Sequence, residues 1–185
     1  NQYEFMKQMH LAIPGIFNQI DGLASHSYPN PGFSQPPATE SATGVASFLY
    51  ERSLAESLSS KNLPVFITET GWSGKTVSPE QQVSYYLKTF ETIWNDPGIV
   101  AITPFLLDAR LGAFEHFSFL TLTGKETPQY TAIKTLAKVP GKPLQPTPKV
   151  LAAEIAPEKI TTQKENTRFS FINMIQSIFQ QFVGN

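Results

Sequence analysis

Apolar runs that alternate with helical patterns constrain the fold of this chain more than any other feature of its sequence. Strand-like runs begin near positions 21, 64 and 99, and a helical pattern lies between each pair. Repeats of this kind are joined by right-handed crossovers and form a parallel sheet. The sequence therefore predicts an α/β fold built from βα units.

The helix after the second strand has the clearest boundaries. Ser78, Pro79 and Gln81 have the pattern of a capping box with proline at the first helical position. Further helices are predicted at about 5–13, 44–59 and 128–136, the last capped by Thr127. The third strand is predicted to run from Ile99 to Leu107.

Composition excludes several classes of protein. The 185 residues carry a net charge of −1, so no basic surface is available to attract a phosphate backbone. The absence of cysteine excludes disulfides and thiolate metal sites. The three histidines lack the spacing of metal ligands, and we expect neither a metal nor another cofactor. No apolar run reaches the roughly 18 residues that a membrane-spanning helix needs.

Polar and aromatic residues follow the strands at their C-terminal ends, where α/β proteins bind ligands. The first strand runs into His26 and Tyr28, and the second into Glu69 and Trp72. Phe105 and Asp108 lie at the end of the third. We therefore expect the functional site at this edge of the sheet.

Two motifs resemble segments of a known family. The run ITETGW at 67–72 looks like strand 7 of the large clan of retaining (β/α)8 glycoside hydrolases, and DGLASHSYPNPGF at 21–33 is similar to strand 6. The resemblance covers about residues 1–140. It implies a partial TIM barrel, comprising about the last three βα units, and hydrolysis of a β-linked glycan by double displacement. Residues 1–139 would be the C-terminal portion of the catalytic domain.

The resemblance also implies roles for individual residues. Glu69 would be the nucleophile, and His26 and Tyr28 would orient it by hydrogen bonding. Trp72 would line the sugar site or buttress the loop, and Phe105 and Asp108 would contact the substrate. Chemistry agrees with such an assignment, because a retaining glycosidase needs two carboxyl groups about 5 to 5.5 Å apart, one of them a nucleophile.

The acid/base glutamate of the clan, which usually ends strand 4 in an Asn-Glu pair, would lie upstream of Asn1. Glu40, Glu115 and Asp108 are further carboxylates near the C-terminal ends of the strands, but none follows such a pair. The chain is therefore expected to carry the nucleophile half of the enzyme and to lack turnover alone. Its expected partners are the N-terminal half of the barrel and an oligo- or polysaccharide. The family's polymeric substrates imply an extracellular or cell-surface location.

The C-terminal quarter has a different pattern. Prolines indicate a linker over residues 140–167, and an amphipathic helical tail is predicted over 168–185. The tail could contact a membrane or another domain, or pack as an ordinary helix.

Two other functions fit the residues. In a non-catalytic carbohydrate-binding or scaffold module, Trp72, Tyr28 and Phe105 would form a stacking surface and Glu69 would be incidental. In an unrelated α/β enzyme, Glu69 would be a general base acting on a carbonyl substrate. That enzyme would need phosphate- or metal-binding features, which the sequence lacks.

Overall fold

The computed structural model describes residues 1–38 and 40–138, which form a mixed α/β structure. Its three strands make one parallel sheet in the order β1-β2-β3. The prediction of parallel βα units is confirmed at this level. In chain order the elements are α1 (Gln2–Ala12), α2 (Ile16–Gln19), β1 (Leu23–His26), α3 (Ser47–Ser57), β2 (Val65–Thr70), α4 (Pro79–Glu91), β3 (Ile99–Pro104), a 3-10 helix (Glu115–Phe117) and α5 (Pro128–Thr135).

Helices cover one face of the sheet. Val65 and Ile67 of β2 are fully buried against them, whereas Ala24, Thr68 and Thr103 on the other face are exposed. Burial of a valine or isoleucine side chain contributes about 1.5–3 kcal/mol, so these two residues hold the sheet against the helices. The core around it includes Phe17, Leu23, Phe48, Ala55, Leu63, Tyr86, Ile93, Trp94 and Phe119.

An ion pair fixes α3 to the turn that precedes β3. The Arg52 guanidinium donates to both carboxylate oxygens of Asp96, at 3.0 and 2.7 Å. Asp96 also accepts the Gly98 N–H at 2.7 Å, and the Gly98 carbonyl accepts the Val65 N–H at 2.8 Å. The pair therefore orders the turn that begins the β2–β3 ladder.

The two predicted helix caps have different outcomes. Ser78 accepts the Gln81 N–H at 3.2 Å, and the Gln81 side chain accepts the Ser78 N–H at 3.1 Å, so the capping box is confirmed. Thr127 occupies the N-cap position of α5 but makes no cap hydrogen bond, and the prediction that it caps the helix is wrong. Its hydroxyl donates instead to the carbonyl of Phe119 at 2.9 Å, which ties α5 to the loop after β3.

β3 is shorter than its apolar run. It ends at Pro104, not at the predicted Leu107; Pro104 has no N–H for the ladder, and the Phe105 N–H makes one further bond, to the Thr70 carbonyl at 2.7 Å.

The linker predicted over 140–167, the tail predicted over 168–185 and the tail's membrane contact lie outside the described residues. Over residues 1–38 and 40–138, none of the helices has the length and hydropathy needed to cross a bilayer.

Candidate functional site

β1 and β2 lie side by side and bring three of the predicted site residues together. The strands are parallel, so both end at the same edge, and His26 pairs with Glu69 in their register. Tyr28 follows His26 by two positions, and the side chains of an extended segment alternate between faces. His26 and Tyr28 therefore both point to the side of the sheet that carries Glu69.

One carboxylate oxygen of Glu69 is the centre of the contacts. The Tyr28 hydroxyl donates to Oε2 at 3.1 Å, and His26 Nδ1 lies 3.5 Å from the same atom. No residue in the described ranges donates a hydrogen bond to the other oxygen, Oε1. With 38% of its side chain exposed, Glu69 can reach a ligand through this oxygen.

A break in strand regularity turns Glu69 towards the open side. The burial of Val65 and Ile67 would place Glu69 on the helix-covered face if alternation continued. The register with β3 shifts between Ile67 and Thr70, and the register with β1 shifts between Ser25 and His26. Thr70 is buried in consequence and Glu69 is half-exposed. Bulges next to functional sites commonly re-aim a side chain in this way.

The neutral hydroxyl of Tyr28 and the carboxylate of Glu69 form a complementary donor and acceptor. Burial raises the pKa of Tyr28 far above its ordinary value, and the adjacent charge of Glu69 and their hydrogen bond raise it further. Tyr28 therefore remains a neutral hydroxyl donor at physiological pH. A hydrogen bond donated to a carboxylate stabilises its charged form, which is the form that can act as a nucleophile.

Aromatic rings form a wall beside Glu69. Tyr28 contacts Phe33, Phe117 and Phe105 edge-on, with ring centroids 5.0, 6.1 and 6.4 Å away. Phe114 extends the wall by a further edge contact with Phe105 at 5.4 Å and is 54% exposed. Phe117 is buried, whereas Tyr28, Phe33 and Phe105 are partly exposed. A cluster of this kind near a carboxylate suits a ligand with both apolar faces and hydroxyl groups.

The loops that carry these residues are fastened to one another. The Thr70 hydroxyl donates to the Ser27 carbonyl at 2.7 Å, and the Thr70 carbonyl accepts the Phe105 N–H at 2.7 Å. Thr70, directly after Glu69, thus links the ends of all three strands.

Trp72 lies away from the open side of the sheet. It is only 1% exposed, its ring lies 4.8 Å from that of Tyr86, and its indole N–H donates to the Gln35 carbonyl at 2.8 Å. Of the two roles that the sequence left open, this position supports buttressing of the loop, since the buried ring has no exposed face to offer a sugar.

The other predicted carboxylates have different surroundings. Asp108 is paired with Arg110, whose Nε donates to it at 2.8 Å, and this hydrogen bonding lowers the pKa of Asp108. Within the described residues, the hydrogen bonds and the ion pair of the Asp108 carboxylate are all with Arg110. Glu40 and Glu115 are both exposed at the surface.

Sequence reasoning missed Phe33 and Phe117 as parts of the site. Phe33 ends the motif that resembles strand 6, so its position after Gly32 was the only signal available. Phe117 ends the short 3-10 helix after β3, a segment with no periodic pattern in the sequence, and its place against Tyr28 depends on the tertiary fold.

Within 1–38 and 40–138, no group of three or more histidine or carboxylate side chains is arranged to hold a metal ion. Comparisons of the chain with protein-family models, with curated proteins and with solved structures returned no match.

Proposed function

We propose that this chain carries the nucleophile half of a retaining glycoside hydrolase that cleaves a β-linked glycan. The observation that carries the proposal is the hydrogen bond from Tyr28 to Glu69 at the C-terminal ends of adjacent parallel strands. The resemblance of segments 21–33 and 67–72 to that clan supports it independently, because the two motifs lie far apart in the sequence and meet in space.

The proposed reaction is a double displacement. Glu69 attacks the anomeric carbon through Oε1 while a second carboxyl group, acting as general acid, protonates the leaving oxygen. Water then hydrolyses the glycosyl ester as the same second carboxyl removes its proton. The Tyr28 hydrogen bond holds Oε2, with His26 Nδ1 3.5 Å away, so that the attacking oxygen keeps one orientation.

The aromatic wall supports a sugar as the substrate. Pyranose rings present apolar C–H faces that pack on aromatic rings. Phe105 and Phe114 belong to the loop after β3, and the Phe105 ring contacts that of Tyr28. Asp108, already bound by Arg110, contributes a polar group at the end of the same strand.

We further propose that the sheet is part of a (β/α)8 barrel whose N-terminal half supplies the second carboxylate. The outer edge of β1 supports this proposal. It borders a groove of about 690 Å³ between α1 and β1, lined by apolar residues that include Met6, Phe17 and Leu23. In addition, right-handed crossovers would place a strand preceding α1 on this side of β1. An enzyme acting on a polymeric glycan would work outside the cell or at its surface.

Mechanism-based labelling tests the function. The protein, expressed from its complete reading frame, is incubated with a panel of activated 2-fluoro-glycosides and the labelled peptides are mapped by mass spectrometry. We expect a glycosyl ester on Glu69, no label in Glu69→Gln, and normal labelling in Glu91→Gln, which changes an exposed carboxylate at the end of α4.

A protein that binds glycans but takes no label from any of the sugars would contradict the enzyme and favour the carbohydrate-binding module. A label on another carboxylate would remove Glu69 as the nucleophile.

A further inference from the structure

Phe33 has a backbone conformation that is unusual for a bulky residue. Its φ is +55°, and it follows Gly32 at +69°. A side chain in this left-handed region clashes with its own backbone, so a non-glycine residue persists there only when the surrounding structure compensates. Glycine would adopt the same conformation without strain. The phenyl ring therefore needs an explanation at this position.

The strained conformation places the ring against the tyrosine of the site. The Phe33 ring meets Tyr28 nearly at right angles with centroids 5.0 Å apart, and meets Phe117 in the same way at 5.2 Å. Both are favourable edge-to-face contacts. The Tyr28 ring thus packs against two rings, Phe33 and Phe117, that also contact each other.

The backbone of the same loop is attached to the segment that follows Glu69. The Phe33 carbonyl accepts the Ser73 N–H at 3.0 Å, and the Gly32 carbonyl accepts the Thr76 hydroxyl at 3.3 Å. Residue 33 thus contacts Tyr28 through its ring and the loop of Glu69 through its carbonyl. It therefore contacts both the residue that donates the Tyr28–Glu69 hydrogen bond and the loop that follows the acceptor.

We propose that Phe33 is a positioning residue that holds the Tyr28 hydroxyl on Oε2 of Glu69. Its effect on catalysis rests on the proposed glycosidase function, whereas its effect on the hydrogen bond does not. The experiment therefore measures the hydrogen bond first and activity second.

The first measurement is an NMR titration of the full chain with ¹³C-labelled tyrosine. The chain contains six tyrosines, and the Tyr28 signal is assigned with Tyr28→Phe. In the unmodified chain Tyr28 titrates above the ordinary pKa of tyrosine, because it is buried and faces the charge of Glu69. In Phe33→Gly, which removes the ring and the strain together, we expect its pKa to move down towards the ordinary value. We expect a smaller downward shift when Glu69→Gln is also present, because burial alone raises this pKa and only the remaining part of the shift comes from Glu69.

Leu111→Gly is the matched control. Leu111 also has a left-handed backbone, with φ +63°, but its side chain is 88% exposed. This change relieves the same kind of strain without removing a ring from Tyr28, and we expect the Tyr28 titration to stay unchanged. Phe33→Leu keeps the bulk of the side chain and serves as a second test if the glycine variant fails to fold; a smaller downward shift is expected.

An unchanged Tyr28 titration in the folded Phe33 variants, an equal shift in Leu111→Gly, or a Phe33→Gly shift of the same size with and without Glu69→Gln would overturn the proposal. In the complete protein we expect Phe33→Gly to lower kcat about tenfold with little change in KM, as loss of one hydrogen bond to a charged group predicts. A shifted titration without glycosidase activity in the parent would refute the function and retain the positioning role. Glycosidase activity in the parent without a shifted titration would retain the function and refute the positioning role.

Discussion

Gly71, two residues after Glu69, provides a sharp test of how the site is packed. Its φ is +156°, and a Cβ added to it would lie 2.9 Å from the carbonyl oxygen of Phe105 and 3.1 Å from the hydroxyl of Tyr86. A backbone oxygen cannot rotate away as a side chain can. Gly71→Ala should therefore push the end of β3 away from β2, where the Thr70 carbonyl accepts the Phe105 N–H.

The expected cost has two parts. An unfavourable backbone conformation costs about 1 kcal/mol, and overpacking of a filled region adds about 1–3 kcal/mol. Gly71→Ala should thus lower the free energy of unfolding by about 2–4 kcal/mol. Gly15→Ala is the control for a positive φ without close contacts, since Gly15 has φ +79° but its added Cβ would lie 3.9 Å from the nearest atom, in Asn18. The control should lose about 1 kcal/mol.

Urea unfolding of the full chain, followed by circular dichroism, measures both values. The midpoint of Gly71→Ala should fall further than that of Gly15→Ala, at the same slope. Equal losses in the two variants would refute the close approach of Phe105 to Gly71, and with it the tight junction between the ends of β2 and β3.

Three further changes test other parts of the structure. Glu51 is 7% exposed, and burial raises the pKa of its carboxyl. Its contribution to stability is therefore present below its unfolded pKa and is lost as pH rises through its folded pKa. Glu51→Gln should raise the thermal midpoint at pH 7 and bring no gain near pH 4. The stability that Asp96 contributes has the opposite dependence on pH. Its hydrogen bonds with Arg52 lower its pKa, so that stability is present above the unfolded pKa and is lost as pH falls through the folded pKa. Asp96→Asn should therefore cost about 1–3 kcal/mol at pH 7 and much less near pH 3, as measured by urea unfolding at both pH values; an equal loss at both would contradict the ion pair. Ser78→Ala should cost about 1 kcal/mol by removing the cap of α4, whereas Ser78→Thr keeps the hydroxyl acceptor and should retain most of that stability in the same assay.

Local rules account for the elements that the sequence predicted well. The start of α4 was predictable because its cap is made by Ser78 and Gln81, three residues apart, through contacts that depend on little else. Thr127 is also a cap-type residue followed by proline, but it has Tyr130 where Ser78 has Gln81. Its hydroxyl donates to the Phe119 carbonyl, which the fold brings within reach, and does not accept an N–H of α5.

The candidate site shows the same division. Glu69, His26 and Tyr28 were selected from the sequence because they follow strands, and parallel strands end at one edge. Trp72 follows the same strand as Glu69, but its ring lies in the core against Tyr86. Which way a residue after a strand turns depends on the loop, and no periodic pattern records it.

The sequence by itself determined the α/β class and the order of strands and helices, because hydrophobic periodicity and capping act over a few neighbouring residues. Only the tertiary structure decided that Glu69 turns out of the helix-covered face, since this depends on register shifts against β1 and β3. It also decided that Tyr28, 41 residues away, reaches Glu69 at 3.1 Å and that Phe33 supports it. These contacts join residues distant in sequence, and their geometry follows from how the strands pair and the loops pack.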